Sequence, residues 1–268
     1  MKCLRIPFSF LFYCAVAGLS AGHASAAAVL AVDFGRNDSL ALGVAGTAGG
    51  SALKPGFQGF YLTGSTSGGN FTGVASLTYG GIDSIYAAGG SIEVSVQGDP
   101  NTAAGSMGGR DRNNPLDNGA FTYGDMLRDG IARTRLTNSA GDYSLKLSGL
   151  VPGASFSLTL WTASSGSDSN TSYTWYDTSI GSTSLGSIYN GPQSGGIPLT
   201  AASNLDFSIT SNVTANGDGE ILLGVIVDSN SATAAFINGF ELNAIPEPSA
   251  ALLLGGLSVA AGFRRRRA

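Results

Sequence analysis

Apolar and polar residues alternate with a period of two in two neighbouring segments of the chain, 142–147 and 156–161. This alternation is typical of a β-strand with one buried face. The residues between the two segments, 149–153, include two glycines and a proline, which favour a turn. This part of the chain therefore predicts two strands joined by a short connection.

Similar strand-like runs recur along the chain and are separated by short turns rich in Gly, Asn and Ser. The other predicted strands are 29–34, 59–63, 74–79, 91–96, 172–176, 205–209, 221–227 and 236–242. Helical periodicity is confined to 123–132, where Met126, Leu127 and Ile131 are expected to face inward, and 98–118 is predicted to be a loop. The whole pattern predicts an all-β fold of two packed antiparallel sheets.

The first 28 residues have the three parts of a secretory signal peptide. Lys2 and Arg5 form a positive start, an apolar run follows at 6–19, and Ala24-Ser25-Ala26 is a small-residue cleavage site. We therefore predict that 1–28 is a signal helix, with the Sec export machinery and signal peptidase as partners.

The last 24 residues, 245–268, contain Pro246, Glu247 and Pro248, then an apolar run at 249–263, then Arg264, Arg265, Arg266 and Arg267. As a helix that rises about 1.5 Å per residue, the apolar run spans roughly 23 Å, less than a bilayer core of about 30 Å. The arginines extend to the lipid headgroups and place that end in the cytoplasm. We predict a short transmembrane helix here, with 29–244 as a separate domain on the outer side.

These three parts, in this order at the end of the chain, resemble the bacterial PEP-CTERM sorting signal. The resemblance implies that an exosortase recognises the Pro-Glu-Pro element and cuts the tail. It also implies export across the inner membrane of a Gram-negative bacterium, a transient membrane anchor, and then a place at the cell surface or in the exopolysaccharide matrix of a biofilm. The alternative is an ordinary tail anchor with a chance Pro-Glu-Pro.

Composition excludes several functions for the predicted domain 29–244. Cys3, Cys14 and His23 all fall in the predicted signal peptide, so the domain has no disulfide, no Cys or His zinc site and no Ser-His-Asp triad. It retains eight basic and 17 acidic residues, a net charge of −9, and nucleic acid is therefore not an expected partner. Five of the eight basic residues are interspersed with aspartates, which indicates a self-compensating surface or loop network rather than an anion site: Arg110, Arg112, Arg128, Arg133 and Arg135.

Three segments of the domain also resemble jelly-roll domains of the galactose-binding or malectin-like kind. They are 149–158, 217–221 and 235–242. This resemblance implies a jelly-roll-like antiparallel β-sandwich and a bias towards carbohydrate.

Aromatic residues provide the candidate carbohydrate site. In the strand 156–161, the parity that buries Phe156, Leu158 and Leu160 places Trp161 on the other, polar face. A flat aromatic ring on a polar face is suited to stacking against a sugar. The other residues expected to contribute to this platform are Tyr173, Trp175 and Tyr176. The alternative is that a larger sandwich or a covering loop buries these rings.

The segment 216–220 has the sequence Asn-Gly-Asp-Gly-Glu, which favours a tight hairpin between strands that end near Val213 and begin at Ile221. Its carboxylates, Asp218 and Glu220, are also oxygen ligands of the kind that calcium prefers. We predict the hairpin and no cofactor, with a structural calcium ion as the alternative.

No catalytic residue is predicted. Without histidine, an enzyme of this kind would depend on a pair of carboxylates, as glycoside hydrolases do. The domain's glutamates, Glu93, Glu220 and Glu241, are far apart in sequence. The aspartates considered are equally dispersed: Asp33, Asp38, Asp168, Asp177, Asp206 and Asp228.

We therefore expect a non-catalytic surface or matrix protein that associates with carbohydrate. The alternatives are a structural or adhesive protein that binds protein or itself, and a carboxylate glycosidase. A structural role predicts no compact aromatic cleft, and an enzyme predicts two buried carboxylates in a shared cleft. A binding module predicts Trp161 and Trp175 on one exposed face.

Overall fold

The alternating runs form β-strands in the computed structural model, which describes residues 28–37, 53–63, 74–98, 107–111, 117, 119–134, 143–163, 171–190, 201–227 and 234–245. In chain order, the strands of these regions are β1 (Ala28–Asn37), β2 (Gln58–Thr63), β3 (Val74–Gly80), β4 (Ser91–Gly98), β5 (Met107–Asp111), β6 (Asp129–Thr134), β7 (Tyr143–Ser148), β8 (Ser155–Trp161), β9 (Thr171–Asp177), β10 (Thr183–Asn190), β11 (Ser208–Thr214), β12 (Ile221–Val227), β13 (Ala234–Ile237) and β14 (Gly239–Ala244). A short helix, α1 (Gly124–Arg128), precedes β6, and a 3-10 helix (Ala201–Leu205) lies before β11.

Two sheets form the sandwich. The five-stranded sheet has the order β11-β8-β14-β1-β2, and the six-stranded sheet has the order β10-β9-β12-β7-β4-β3. Neighbouring strands are antiparallel except β1 and β2, which run parallel with Phe34 opposite Phe60. The prediction of an all-β fold with antiparallel sheets is confirmed, and the parallel pair is an addition that alternation alone does not reveal.

The main hydrophobic core lies between the two sheets and follows from the period-two pattern. In β7, buried and half-buried residues alternate along the whole strand, with Leu145 and Leu147 on the core side. Phe156, Leu158 and Leu160 of β8 reach the same core from the other sheet and are at most 1% exposed. Each such side chain contributes roughly 1.5–3 kcal/mol when it leaves water, so this core is the main source of stability.

A third sheet, β13-β6-β5, is joined to the sandwich at Asn238, which separates β13 from β14. The buried Asn238 amide nitrogen donates hydrogen bonds to Leu127 O, at 3.1 Å, and to Asp129 O. Its amide oxygen accepts a 2.5 Å hydrogen bond from Ala163 N. One side chain therefore ties the end of α1 and the start of β6 to the residues that follow β8.

Gly239 allows α1 to pack closely on the sheet. A Cβ atom at this position would lie 2.6 Å from Met126 Sδ and 2.8 Å from Val32 O. Real Cβ atoms essentially never come this close to another atom, so a larger residue would force the Met126 side chain to move and would collide with the β1 backbone at Val32.

The structure corrects several predicted elements. The predicted helix 123–132 ends at Arg128, and Asp129 begins β6, because pairing with β5 and β13 overrides a weak helical pattern. β5 lies in the segment predicted as a loop, and β10 was not predicted. The predicted strand 205–209 is a 3-10 helix followed by β11, and 236–242 is two strands.

Candidate functional site

A second apolar cluster covers part of the outer face of the five-stranded sheet. Its buried members, which we call the outer aromatic layer, are Phe121, Met126, Leu127, Trp161, Ala163 and Phe207, with Phe57 and Tyr123 packed against them. Trp161 stacks on Tyr123 with ring centroids 5.0 Å apart, and its Nε1 donates a 3.0 Å hydrogen bond to Asn204 O.

The predicted orientation of the β8 side chains is therefore correct, but the prediction that the Trp161 ring is exposed for stacking against a sugar is wrong. Trp161 does lie on the face opposite Phe156, Leu158 and Leu160, in a separate cluster. Its side chain is only 1% exposed, because Phe57 and Tyr123 from distant segments cover it. The alternative of a covering segment is the one that the structure shows for this residue.

The other aromatic residues of the proposed platform lie elsewhere. Trp175 is 0% exposed and belongs to the main core, where its ring lies 6.3 Å from that of Tyr143. Tyr176, the next residue of β9, is half-buried, and Tyr173 lies on β9 with its side chain outside the described residues. Trp161 and Trp175 are on different sheets, so they do not form one exposed face.

A buried carboxyl group lies beside the outer aromatic layer. Asp33, in the middle of β1, is 0% exposed, and its Oδ2 accepts a 2.7 Å hydrogen bond from the backbone nitrogen of Lys54. Its Oδ1 has no hydrogen-bond partner among the described residues. Burial raises the pKa of Asp33 to about 8, against the opposing effect of Lys54. The carboxyl is therefore largely protonated at neutral pH.

Lys54 joins this carboxyl to the aromatic residues. Its ammonium group lies 3.7 Å from the centroid of the Tyr123 ring and donates a 2.7 Å hydrogen bond to Thr122 O. Burial lowers the pKa of Lys54, while neighbouring carboxylates, first among them Asp117, act against this effect. The cation–π contact and the hydrogen bonds hold the segment before β2 against the residues before α1.

Asp125 is a second buried carboxyl group in this region, at 8% exposure. Burial raises its pKa, and the charge of Asp117 raises it further, while Arg128 and Lys54 lower it. Arg128 is the only one of the five clustered arginines whose side chain lies within the described residues, and it is 2% exposed. It lowers the pKa of Asp125, but it is buried at the end of α1 and so does not lie in the predicted surface or loop network.

Beyond the outer aromatic layer, the same face of the five-stranded sheet carries short polar side chains in two cross-strand rows. We call these residues the polar patch: Thr210, Thr159 and Glu241 in one row, and Asn212, Ser157 and Asn243 in the next. Thr210 and Asn212 are exposed, and Thr159, at 8%, is the most buried of the six. The alternation of β8 predicts this polar face, but only its tryptophan was expected to bind carbohydrate.

Hydrogen bonds between members hold the polar patch in place. The hydroxyl oxygens of Thr159 and Thr210 are 2.9 Å apart, and Asn243 Nδ2 donates a 2.9 Å hydrogen bond to Glu241 Oε1. Tyr123 stacks on Trp161, whose cross-strand row is the next one on this face of the sheet, so its ring lies beside the patch. Burial raises the pKa of Tyr123, and the charge of Glu241 raises it further.

The segment 216–220 is a tight turn, as predicted, but it is not a hairpin. Asn216 Oδ1 accepts hydrogen bonds from the backbone nitrogens of Asp218, at 2.9 Å, and Glu220, at 3.0 Å. The strands on either side, β11 and β12, belong to different sheets. Glu220 forms an ion pair with Lys146. Within the described part of the chain, no three His, Cys, Asp or Glu side chains are grouped to hold a metal ion.

The predicted sorting residues, Pro246, Glu247, Pro248, Arg264, Arg265, Arg266 and Arg267, and the predicted signal peptide lie outside the described residues. Among the residues that are described, no helix has the length and apolar character needed to cross a membrane. Ala28 of β1 lies opposite Asn243 of β14. The two ends of the described unit are therefore neighbours on one sheet.

No family model matches the chain, and no curated protein matches it in sequence. Among solved structures, the CBM22-1-GH10 modules of the Clostridium thermocellum endo-1,4-β-D-xylanase 10B, complexed with xylohexaose, are 10% identical, with 67% of this chain and 27% of that chain covered and a TM-score of 0.33. A CBM61 module in complex with β-1,4-galactotriose is 14% identical, with coverages of 57% and 88% and a TM-score of 0.30. The K1 adhesin domain of Lys-gingipain from Porphyromonas gingivalis is 10% identical, with coverages of 64% and 99% and a TM-score of 0.31.

Carbohydrate-binding modules are therefore among the structural neighbours of this chain. The match spans about a quarter of the xylanase chain's length, at 27%. Identities of 10–14% and TM-scores of at most 0.33 assign neither a ligand nor an activity.

Proposed function

We propose that this chain is an exported surface or matrix protein, sorted by an exosortase, whose jelly-roll-like sandwich associates with exopolysaccharide without cleaving it. The export and sorting part of this proposal rests on the terminal sequences. The signal peptide 1–28 directs Sec export and signal peptidase cleavage, and 245–268 provides a transient inner-membrane anchor for exosortase. The carbohydrate association rests on the polar patch.

The polar patch supports carbohydrate association because it offers hydroxyl, amide and carboxylate groups on one flat face. Neighbouring strands lie about 4.8 Å apart, so the rows present donors and acceptors at regular spacing over an area of oligosaccharide size. Ser, Thr and Asn are short, and several are already held by mutual hydrogen bonds. Little conformational entropy is therefore lost when a sugar binds.

Tyr123 contributes to this site differently from the predicted stacking platform. Trp161 stacks on its ring, and the Lys54 ammonium lies 3.7 Å from the ring centroid, so the ring faces contact the protein itself. What remains for a ligand is the ring edge and the hydroxyl group. We therefore expect binding through hydrogen bonds, with modest affinity.

The carboxyl groups favour binding over hydrolysis. Glycoside hydrolases need two carboxyl groups on either side of the scissile bond, about 5–10 Å apart. Glu241 is the one carboxylate of the polar patch, and the nearby Asp33 is 0% exposed and cannot contact a polysaccharide. The buried Asp33 carboxyl instead accepts a hydrogen bond from Lys54 N and so helps to hold the segment before β2.

Affinity electrophoresis of the exported, processed protein against a panel of polysaccharides, with and without calcium, tests this function. We expect one or more neutral glycans to retard the protein, independently of calcium. The variant Thr210→Ala, Asn212→Ala should lose most of this retardation, because it removes the two exposed hydrogen-bonding side chains of the polar patch.

The matched control is Thr183→Ala, Ser184→Ala, which removes two exposed polar residues from β10 on the other sheet. It should migrate like the wild type in every gel. Equal retardation of both variants would show that the glycan binds outside the polar patch. The absence of retardation by any glycan would favour the structural or adhesive alternative.

A further inference from the structure

The strand β3 is an open edge of the six-stranded sheet. It pairs with β4 on one side, and no strand in the described part of the chain pairs with its other side. An edge strand presents a row of unpaired backbone N–H and C=O groups. The seven residues of β3, Val-Ala-Ser-Leu-Thr-Tyr-Gly, include no charge and no proline. Charged residues and proline are the residues that natural proteins most often use to block edge pairing.

The other edges of the two sandwich sheets are less available. β10, at the opposite edge of the same sheet, has an irregular register at Ser184 and Gly186, and Gly186 has a φ of +141°. Such bulges disturb the ladder and discourage pairing. In the five-stranded sheet, the edge strand β2 contacts β5, and β11 contacts β10. β3 is therefore the regular, uncharged edge among these strands.

Apolar surface accompanies this edge. Leu77 of β3 is 44% exposed, although its cross-strand neighbour Val94 on β4 is completely buried. Val74, at the start of β3, is 53% exposed. The hydrophobic core thus extends along the sheet to β3 and ends there, with Leu77 only partly covered.

We propose that two copies of this chain associate through β3, antiparallel and with two-fold symmetry, so that their six-stranded sheets become one continuous sheet. The register centred on Leu77 uses all seven residues of each strand. It places Leu77 opposite Leu77, Ala75 opposite Tyr79, and Val74 opposite Gly80. A register centred on Ser76 would pair only five residues. Because the same strand is used by both copies, the assembly closes at a dimer.

A second copy fits this edge better than an unrelated strand. Residues on the two sides of Leu77 match in character, with polar Ser76 and Thr78 next to it, and Ala75 and Tyr79 beyond them. The domain 29–244 has a net charge of −9, so most approaches of two copies are repulsive. This repulsion is lower at β3, since the strand itself is uncharged and the neighbouring strand β4 carries one charge, that of Glu93 opposite Thr78.

Disulfide trapping tests the register. In a Cys3→Ala, Cys14→Ala background, Leu77→Cys provides the only thiol of the exported protein. Directly opposite residues of an antiparallel pair have Cβ atoms about 5 Å apart, so mild oxidation should link Leu77→Cys to itself at least about tenfold more than a distant thiol. The matched control is Ile180→Cys, because Ile180 is more exposed, at 71%. Equal cross-linking at the two positions would overturn the proposal.

The mass of the exported protein without a new thiol provides a second, independent readout. Light scattering should give the mass of two copies for the wild type and for Ile180→Lys. It should give the mass of one copy for Leu77→Lys, which places two ammonium groups opposite each other. A wild type with the mass of one copy at every concentration would also overturn the proposal. Neither experiment contains a glycan, so both outcomes are separate from the proposed carbohydrate binding.

Discussion

Trp175 and Trp161 are both buried, at 0% and 1% exposure, but their surroundings differ. Trp175 lies between the two sheets in the main core, and its Nε1 has no hydrogen-bond partner among the described residues. Trp161 lies in the outer aromatic layer, where its Nε1 is bonded to Asn204 O and its ring stacks on Tyr123, which in turn contacts the cation of Lys54. The main core is held mainly by apolar burial, with hydrogen bonds from the hydroxyl groups of Tyr143 and Tyr79, whereas the outer layer combines burial with a cation and several polar contacts between distant segments.

Asn238 provides the sharpest test of this difference. Replacement of Asn238 by Ala removes the side-chain hydrogen bonds to Ala163 N, Leu127 O and Asp129 O and leaves those buried groups without that partner. We expect a loss of about 2–3 kcal/mol in the free energy of unfolding, measured with urea. Amide exchange should accelerate mainly in α1 and the start of β6.

The control for this variant is Asn243→Ala in the polar patch, which should change stability by at most about 0.5 kcal/mol. If Asn238→Ala were equally mild, the outer layer would not depend on this side chain.

The pH dependence of stability tests the charged part of the outer layer. Burial raises the pKa of Asp33 to about 8 in the folded chain, whereas an unfolded aspartate has a pKa of about 3.9. The unfolded chain therefore releases a proton between about pH 4 and pH 8 that the folded chain retains, and stability falls as the pH rises through this window. The pKa of Asp125 is also raised, so this residue acts in the same direction.

We expect stability to fall by about 1–3 kcal/mol between pH 5 and pH 8, measured by urea unfolding at each pH. Asp33→Asn cannot ionise and should lose most of this pH dependence, although Asp125 still titrates. An identical slope in the wild type and in the variant would show that Asp33 ionises as readily in the folded chain as in the unfolded one.

The smallest expected effect compares the two tryptophans directly. Trp161→Phe and Trp175→Phe remove similar volume, but only the first also removes a hydrogen bond to a described residue. We expect Trp161→Phe to cost about 0.5–1 kcal/mol more than Trp175→Phe. A larger loss for Trp175→Phe would mean that packing volume, rather than the hydrogen bond, distinguishes the two environments.

Much of the sandwich was predictable because its core follows alternation. β7, β8 and β12 lie within one or two residues of their predicted bounds. β6 was not, because Asp129 and Gly130 have low intrinsic preference for strands and the element exists through pairing with β5 and β13. An alternation with a period of two also does not show to which sheet a strand belongs. The sequence therefore predicts a hairpin at 216–220, where the turn joins strands of two different sheets.

The candidate site was predictable only in part, for the same reason. The outward parity of Trp161 follows from β8 alone, but its burial depends on Phe57 and Tyr123, which are distant in sequence. Asp33 did leave a signal, since it is a lone acid within the apolar strand β1. A carboxyl group in an apolar strand is buried on either face of the sheet. It therefore needs a specific hydrogen-bond partner, which here is the backbone nitrogen of Lys54.

The close pairing of Ala28 with Asn243 has a mechanical consequence. A force applied through the chain beyond Ala244 enters the sheet at β14, which lies between β8 and β1. Tension from this end must therefore strip β14 from two neighbours together, starting at its last residue. A pull between the two ends would instead separate β1 from β14 one bonded rung at a time. The protein thus resists mechanical unfolding in a flow better when it is attached by one end than when it is attached by both ends.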